Sequence, residues 1–206
     1  SVTTMKKMFQ DADIFNGDIS SWDVSNVTNM NDMFRRTDFN GNISTWDVSS
    51  VTEMMRMFYH NYVFNQDLSE WDVSNVTNMQ DMFHQAHIFN GDISTWDVSS
   101  VTNMYRMFFQ TNAFNQDLSG WDVSNVANME GLFYSTEIFN GDISTWDVSS
   151  VTTMKEMFRN ASSFNGDLSN WDVSSSYDMQ YMFYQASSFN GDISTWDVSS
   201  VTTMKE

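Results

Sequence analysis

The chain predicts an α/β solenoid, a right-handed superhelix of about eight 25-residue repeats with parallel strands on a concave face and short helices on a convex one. Three observations predict it. Trp22, Trp46, Trp71, Trp96, Trp121, Trp146, Trp171 and Trp196 fall 25 residues apart, except for a first interval of 24 that marks one deletion near Thr37-Asp38-Phe39. Each repeat also holds a stretch of alternating apolar and polar residues, followed by a stretch with apolar residues at helical spacing. Residues 1–206 therefore read as one repeat array with no linker.

The first element is the strand. In Phe64-Asn65-Gln66-Asp67-Leu68-Ser69-Glu70-Trp71-Asp72-Val73-Ser74 the apolar residues Leu68, Trp71 and Val73 form the pattern L-x-x-L-x-L, the strand segment of a leucine-rich repeat. Period-2 alternation points Trp71 and Val73 inward and leaves Glu70 and Asp72 in solvent. The second element is the helix. Val76–Ala86 spaces Met79, Met82, Phe83 and Ala86 at i, i+3, i+4 and i+7, one stripe of a two- to three-turn helix that Ser74 or Thr77 caps. Strands pack about 4.8 Å apart and helices about 8–10 Å, so the array is expected to curve with its strands on the inner side.

A second period overlies the first. Gly-Asp-Ile-Ser-Thr-Trp-Asp-Val-Ser-Ser-Val-Thr recurs from Gly91, Gly141 and Gly191, while intervening units carry Leu68, Leu118 and Leu168, the mark of an array enlarged by duplicating pairs. Ser1-Val2-Thr3-Thr4-Met5 and Val201-Thr202-Thr203-Met204 share one phase of the repeat and neither looks like a polar cap, so a segment of a longer array is expected.

The recurring Phe-Asn-x-Asp-(Ile/Leu)-Ser-x-Trp-Asp-Val-Ser-x-Val-Thr-x-Met-x-x-Met-Phe resembles the BspA-like surface-protein repeats, also described as the bacterial surface 26-residue lipoprotein repeat of the leucine-rich-repeat group. The resemblance spans essentially the whole chain. It implies a cell-surface or secreted protein of unassigned molecular activity associated with adhesion. Asn42 in place of Asp, Leu132 in place of the second Met, and Ser175-Ser176-Tyr177-Asp178 in place of Asn-Val-Thr-Asn depart from the pattern.

Nine basic against 27 acidic residues give a net charge of -18, which disfavours nucleic acid and anionic membranes as partners and favours cations, basic proteins or neutral glycans. Cysteine is absent, so disulfides and thiol chemistry are excluded. No apolar run approaches the roughly 20 residues of a membrane helix, and direct membrane insertion is not expected.

The leading candidate site is the column Asp23, Asp47, Asp72, Asp97, Asp122, Asp147, Asp172 and Asp197. Carboxylates at strand spacing repel, and the repulsion is offset either by Ca²⁺ or a basic partner, or by hydrogen bonds from neighbouring Ser hydroxyls and turn amides. A second column, Asp18, Asp67, Asp92, Asp117, Asp142, Asp167 and Asp192, sits in a turn and is expected to satisfy its amides. Asn65, Asn90 and their equivalents are expected to form an internal ladder between coils. Between inward residues lies a variable concave row, Ser21, Thr45, Glu70, Thr95, Gly120, Thr145, Asn170 and Thr195, suited to hydrogen bonding a glycan or peptide; Glu70, Gly120 and Asn170 interrupt it and argue against ice binding.

Catalytic signals are poor. His60, His84 and His87 do not recur, although His84 and His87 at i, i+3 near Asp81 are compatible with an adventitious metal. The paired methionines, such as Met79 and Met82, Met104 and Met107, and Met154 and Met157, read as core. Sequons at Asn26, Asn42, Asn75 and Asn160 matter only in a eukaryotic secretory route. No resident cofactor is expected beyond the Ca²⁺ considered for the Asp column.

The reading is a non-enzymatic, surface-displayed module that binds extracellular protein or glycan through its concave face by multivalent contact. The alternative is a structural spacer or filament that self-associates end to end.

Overall fold

Residues 1–205 are described by the computed structural model, and among them the backbone forms neither helix nor continuous strand. Regular pairing is limited to one parallel bridge per coil, running Thr4, Asn29, Glu53, Asn78, Asn103, Asn128, Thr153, Asp178, Thr203. The repeats do stack coil upon coil, but the expected α/β architecture of strands on one face and helices on the other is corrected: each coil is a closed succession of tight turns.

The segment expected to be a helix shows why. Met82 N–H donates to Met79 O and Ala86 N–H to Phe83 O, closing two four-residue turns end to end. Asp81 and Gln85, the third residues of those turns, have φ of 54° and 57°, the signature of type II turns. Two turns joined in tandem bury their corners at i, i+3, i+4 and i+7, the same spacing as a helical stripe, and Met79, Met82, Phe83 and Ala86 are indeed fully buried. The amides a helix would turn inward leave the coil instead: Met79, Asp81, Phe83 and Gln85 donate to the carbonyls of Asn103, Tyr105, Met107 and Phe109 in the next coil.

Among the described residues two per coil adopt positive φ, and fifteen of the sixteen are not glycine. Each such L-residue costs about 1–2 kcal/mol, while an inter-coil amide bond returns about 1 kcal/mol net. The bonds alone therefore do not hold the turns. Burial does: two phenylalanine columns run the length of the stack, with Phe83 and Phe108 centred 5.8 Å apart, Phe89 and Phe114 6.2 Å apart, and Phe83 and Phe89 of one coil stacked at 3.9 Å.

The segment expected to be a strand is also two turns, closed by Trp71 N–H to Leu68 O and Val76 N–H to Val73 O. Its inside-outside alternation is real, since Trp71 and Val73 are buried and Glu70 and Asp72 exposed. It arises from turn corners and not from pleating. From Trp71 onward the tryptophans stack in register, Trp96 and Trp121 lying 6.3 Å apart at 5°, and each indole N–H from Trp46 onward donates to an Ile or Leu carbonyl of the preceding coil, as in Trp96 Nε1 to Leu68 O at 2.9 Å.

In two of the pairs the alternation has a steric origin. Gln66 Nε2 donates to Asn40 O and Oδ1, and Gln116 Nε2 to Asn90 O and Oδ1. A Cβ on Gly91 or Gly141 would then sit on the carbonyl oxygen of Gln66 or Gln116 in the preceding coil. A Gln coil is therefore followed by a Gly coil.

Candidate functional site: the Asp-x-Ser arc

Two residue triplets per repeat, Asp-Ile/Leu-Ser and Asp-Val-Ser, build this arc. In each, the Asp side chain folds forward over its own turn. Asp47 Oδ1 accepts the Ser49 amide at 3.1 Å and its hydroxyl at 2.6 Å, and Asp72 does the same with Ser74. Asp23, Asp97, Asp122, Asp147, Asp172 and Asp197 accept the amides of Ser25, Ser99, Ser124, Ser149, Ser174 and Ser199. The second column is built alike, as in Asp92 with Ser94 and Asp142 with Ser144.

These bonds outweigh the repulsion along the column. The Ser49 hydroxyl and amide hold the Asp47 carboxyl below the usual aspartate value, and the opposing push from Asp23 is weaker. Ser124 does the same for Asp122 against Asp97. One oxygen of each carboxylate is engaged, and no protein group donates to the other among these columns.

All eight aspartates of the first column are exposed, as are Thr45, Glu70, Thr95, Gly120, Thr145, Asn170 and Thr195. The two sets meet in shallow notches between coils: one of about 400 Å³ is lined by Thr45, Asp47, Glu70 and Asp72, and one of about 500 Å³ by Thr145, Asp147, Asn170 and Asp172. The row lies on turns and not on a concave strand face. Thr95, Thr145 and Thr195 spend their hydroxyl protons on Ser69 O, Ser119 O and Ser169 O of the preceding coil. Ser21, Thr45 and Asn170 keep their side-chain donors, but the arc otherwise offers acceptors and negative charge to a ligand.

From each Phe-Asn pair to the Ser of Asp-Val-Ser, the arc holds 16 of the 27 acidic residues and no basic one. All nine lysines and arginines lie on the opposite arc, where Arg56 pairs with buried Asp32 at 3.0 Å and Arg159 with Glu156 at 2.7 Å.

The asparagine ladder forms, but at the surface. Asn65 Oδ1 accepts the Asn90 amide at 2.8 Å, and Asn90 Oδ1 the Asn115 amide at 2.9 Å, with both side chains exposed. His84 and His87 diverge, His84 Nδ1 meeting Asp81 Oδ1 at 3.0 Å and His87 Nδ1 meeting Asn112 Oδ1 at 2.9 Å. Among the described residues no three His, Asp or Glu side chains converge as a metal site would require. Asn26, Asn42 and Asn75 are exposed, and Asn160, at φ 59°, donates its side-chain amide to Ser135 Oγ. Sequence reasoning missed a stacked column on the opposite arc, Tyr59, His84, Phe109 and Tyr134 at 4.2–4.6 Å, flanked by Arg35 and Arg159 over its ends. These residue types differ from coil to coil, so only their common position six residues after the bridge hints at it in the sequence.

Among the described residues no helix is long and apolar enough to cross a membrane. No curated protein matches the chain. The sequence pattern of one family, described as Mycoplasma protein of unknown function, DUF285, matches residues 1–87, 35–137 and 114–206. Those matches overlap from one end of the chain to the other, and the chain belongs to that repeat family.

Proposed function

We propose that the chain is a non-enzymatic interaction module, displayed at a cell surface or secreted, that holds a donor-rich, cationic protein partner along its Asp-x-Ser arc. Its likeness to the BspA-like surface repeats supports the setting. One observation carries the choice of arc. Asn42 Oδ1 accepts the amide and hydroxyl of Ser44 at 3.0 and 2.8 Å, the same turn that Asp builds elsewhere. A carboxylate is therefore not needed to make the turn, yet 15 of the 16 equivalent positions are Asp. The repeated charge suits repeated contact, in which weak bonds to lysine or arginine accumulate along the array.

The Asn42 turn also supplies the test. Changing Asp72, Asp97 and Asp122 together to Asn keeps the turns and removes three charges. Titration with an arginine-rich decapeptide is expected to release heat that shrinks with added salt and falls by at least about tenfold in the triple variant. No heat at low salt, or equal heat from the variant, rejects the reading. A structural spacer is favoured by a different observation, the unbroken Phe and Asn columns that join every coil to the next; light scattering that detects end-to-end growth of the pure chain would put that reading first.

A further inference from the structure

The single deletion in the repeat leaves a rung missing from one column of side chains. Asp38 N–H donates to Asp13 O at 2.8 Å as Ala113 N–H does to His87 O and Ser163 N–H to Glu137 O. Asp38 thus stands where other coils have Ala113 or Ser163, and the residue that should precede it, the counterpart of Asp13, Tyr62, His87 and Asn112, is absent. Asn61, fully buried, secures the neighbouring coil by donating to Phe39 O at 2.8 Å and accepting the amides of Val63 and Phe64.

The gap is a notch of about 270 Å³ lined by Asp13, Arg36, Thr37, Asp38, His60 and Tyr62. Tyr62 stacks in parallel on His87 at 5.2 Å on one side, is 45% exposed, and faces the missing rung with the other. Thr37 spends its hydroxyl proton on Phe34 O. Arg36 lies at the rim with Asp11 at 3.7 Å. His60 is held neutral, its pKa lowered to about 4, by burial first and then by the charges of His84, Arg36, Arg35 and His87. The notch therefore combines two exposed carboxylates with one uncovered aromatic face and a neutral imidazole.

The chain shows elsewhere what fits between its coils in such a setting. Arg35 lies over Tyr59 of the next coil at 5.4 Å, and Arg159 over Tyr134 and Tyr184 of the coils on either side at 5.3 and 5.0 Å. A guanidinium is planar, one rung thick, stacks on tyrosine, and offers paired donors to carboxylates. We propose that the missing rung is a binding site for a guanidinium group, stacked on Tyr62 and bonded to Asp13 and Asp38. The site is independent of the Asp-x-Ser arc.

Calorimetry with ethylguanidinium and with the tripeptide Gly-Arg-Gly tests it, against ethylammonium and Gly-Lys-Gly. Saturable one-to-one binding of the guanidinium probes is expected, with the ammonium probes at least about tenfold weaker. Asp38→Asn and Tyr62→Ala should each weaken binding by at least about tenfold, whereas Arg36→Ala, which removes a like charge from the rim, should preserve or tighten it. Inserting one Asn between Thr37 and Asp38 restores the 25-residue interval and should abolish binding while leaving the melting temperature equal or higher. Binding of ethylguanidinium comparable to the tripeptide would identify a small guanidinium compound as sufficient; tripeptide binding alone would identify arginine in a peptide. The proposal is overturned if neither guanidinium probe binds, if both point variants bind as the parent does, or if Arg36→Ala abolishes binding.

Discussion

The two arcs of each coil are joined to their neighbours by different parts of the chain. On the arc from Val76 to Ala86, backbone amides carry the stack, one from every second residue. On the arc from Phe64 to Asn75, inter-coil backbone bonds are sparse, Leu68 N–H to Asp92 O at 3.3 Å being an example, and side chains take over: Trp96 to Leu68 O, Asn65 to the Asn90 amide, Asn75 Nδ2 to Ser49 O, Thr95 to Ser69 O. The difference explains the pattern of repetition. Where amides hold the coils, outward side chains are free to differ, and Arg35, Tyr59, His84, Phe109 and Tyr134 occupy one column. Where side chains hold them, the residues must recur.

The comparison breaks most readily at the tryptophan column. Trp96→Ala removes a buried stack and an indole bond, and should cost about 3–5 kcal/mol in chemical denaturation. Phe109→Ala, from the column held by backbone, should cost clearly less. Equal losses would mean that the arcs do not differ in the way described.

Glycines sharpen it next. Gly91→Ala places a methyl on the Gln66 carbonyl and against Phe89, and should destabilise by about 1–3 kcal/mol. At Gly120 the nearest atom to a new Cβ is Ser94 O at 3.5 Å, so Gly120→Ala should be within about 0.5 kcal/mol of the parent. Asn90→Ala leaves the Asn115 amide without its acceptor and Gln116 Nε2 with only the Asn90 carbonyl; because the site is exposed, about 1 kcal/mol is expected, and Asn90→Asp should restore most of it. An unchanged melting temperature for Asn90→Ala would remove the ladder from the account.

On the backbone-held arc the sign reverses. Gln185 has φ 58° and an exposed side chain with no hydrogen bond, so Gln185→Gly should stabilise by up to about 1 kcal/mol. Loss of stability there would show that positive φ is not a cost in these turns.

Acidification separates the arcs by pH window. His60 has a folded pKa of about 4 against an ordinary value of 6.5, so the native state resists its protonation. Stability from this group is complete above pH 6.5 and declines as pH falls toward about 4; His60→Asn, which tolerates φ 56°, should flatten that limb. The Asp97 and Asp122 carboxylates titrate below their usual value because the Ser99 and Ser124 donors favour the charged form. Their contribution is present above the ordinary aspartate range and is lost as pH falls through the lowered folded values, a loss that Asp97→Asn should reduce without affecting the His60 limb.

Much of the candidate site was legible in the residues. Asp followed two places later by Ser is a local turn whose bonds span only that turn, and the hydrogen-bonded account of the Asp column required no knowledge of the neighbouring coil. The asparagine ladder was legible as repetition, though its exposure was not. The notch was visible only as an interval of 24 between tryptophans, because what lines it comes from three coils.

The sequence by itself determined the 25-residue coil, the residues that face inward, and the charge. Tertiary structure alone decided whether Met79, Met82, Phe83 and Ala86 sit on a helix or at the corners of two turns, and whether Leu68, Trp71 and Val73 lie on a strand. Both backbones place the same side chains inside. What separates them is where the amides of Asp81 and Gln85 point, and that is fixed by carbonyls of the next coil, 24 residues further along the chain.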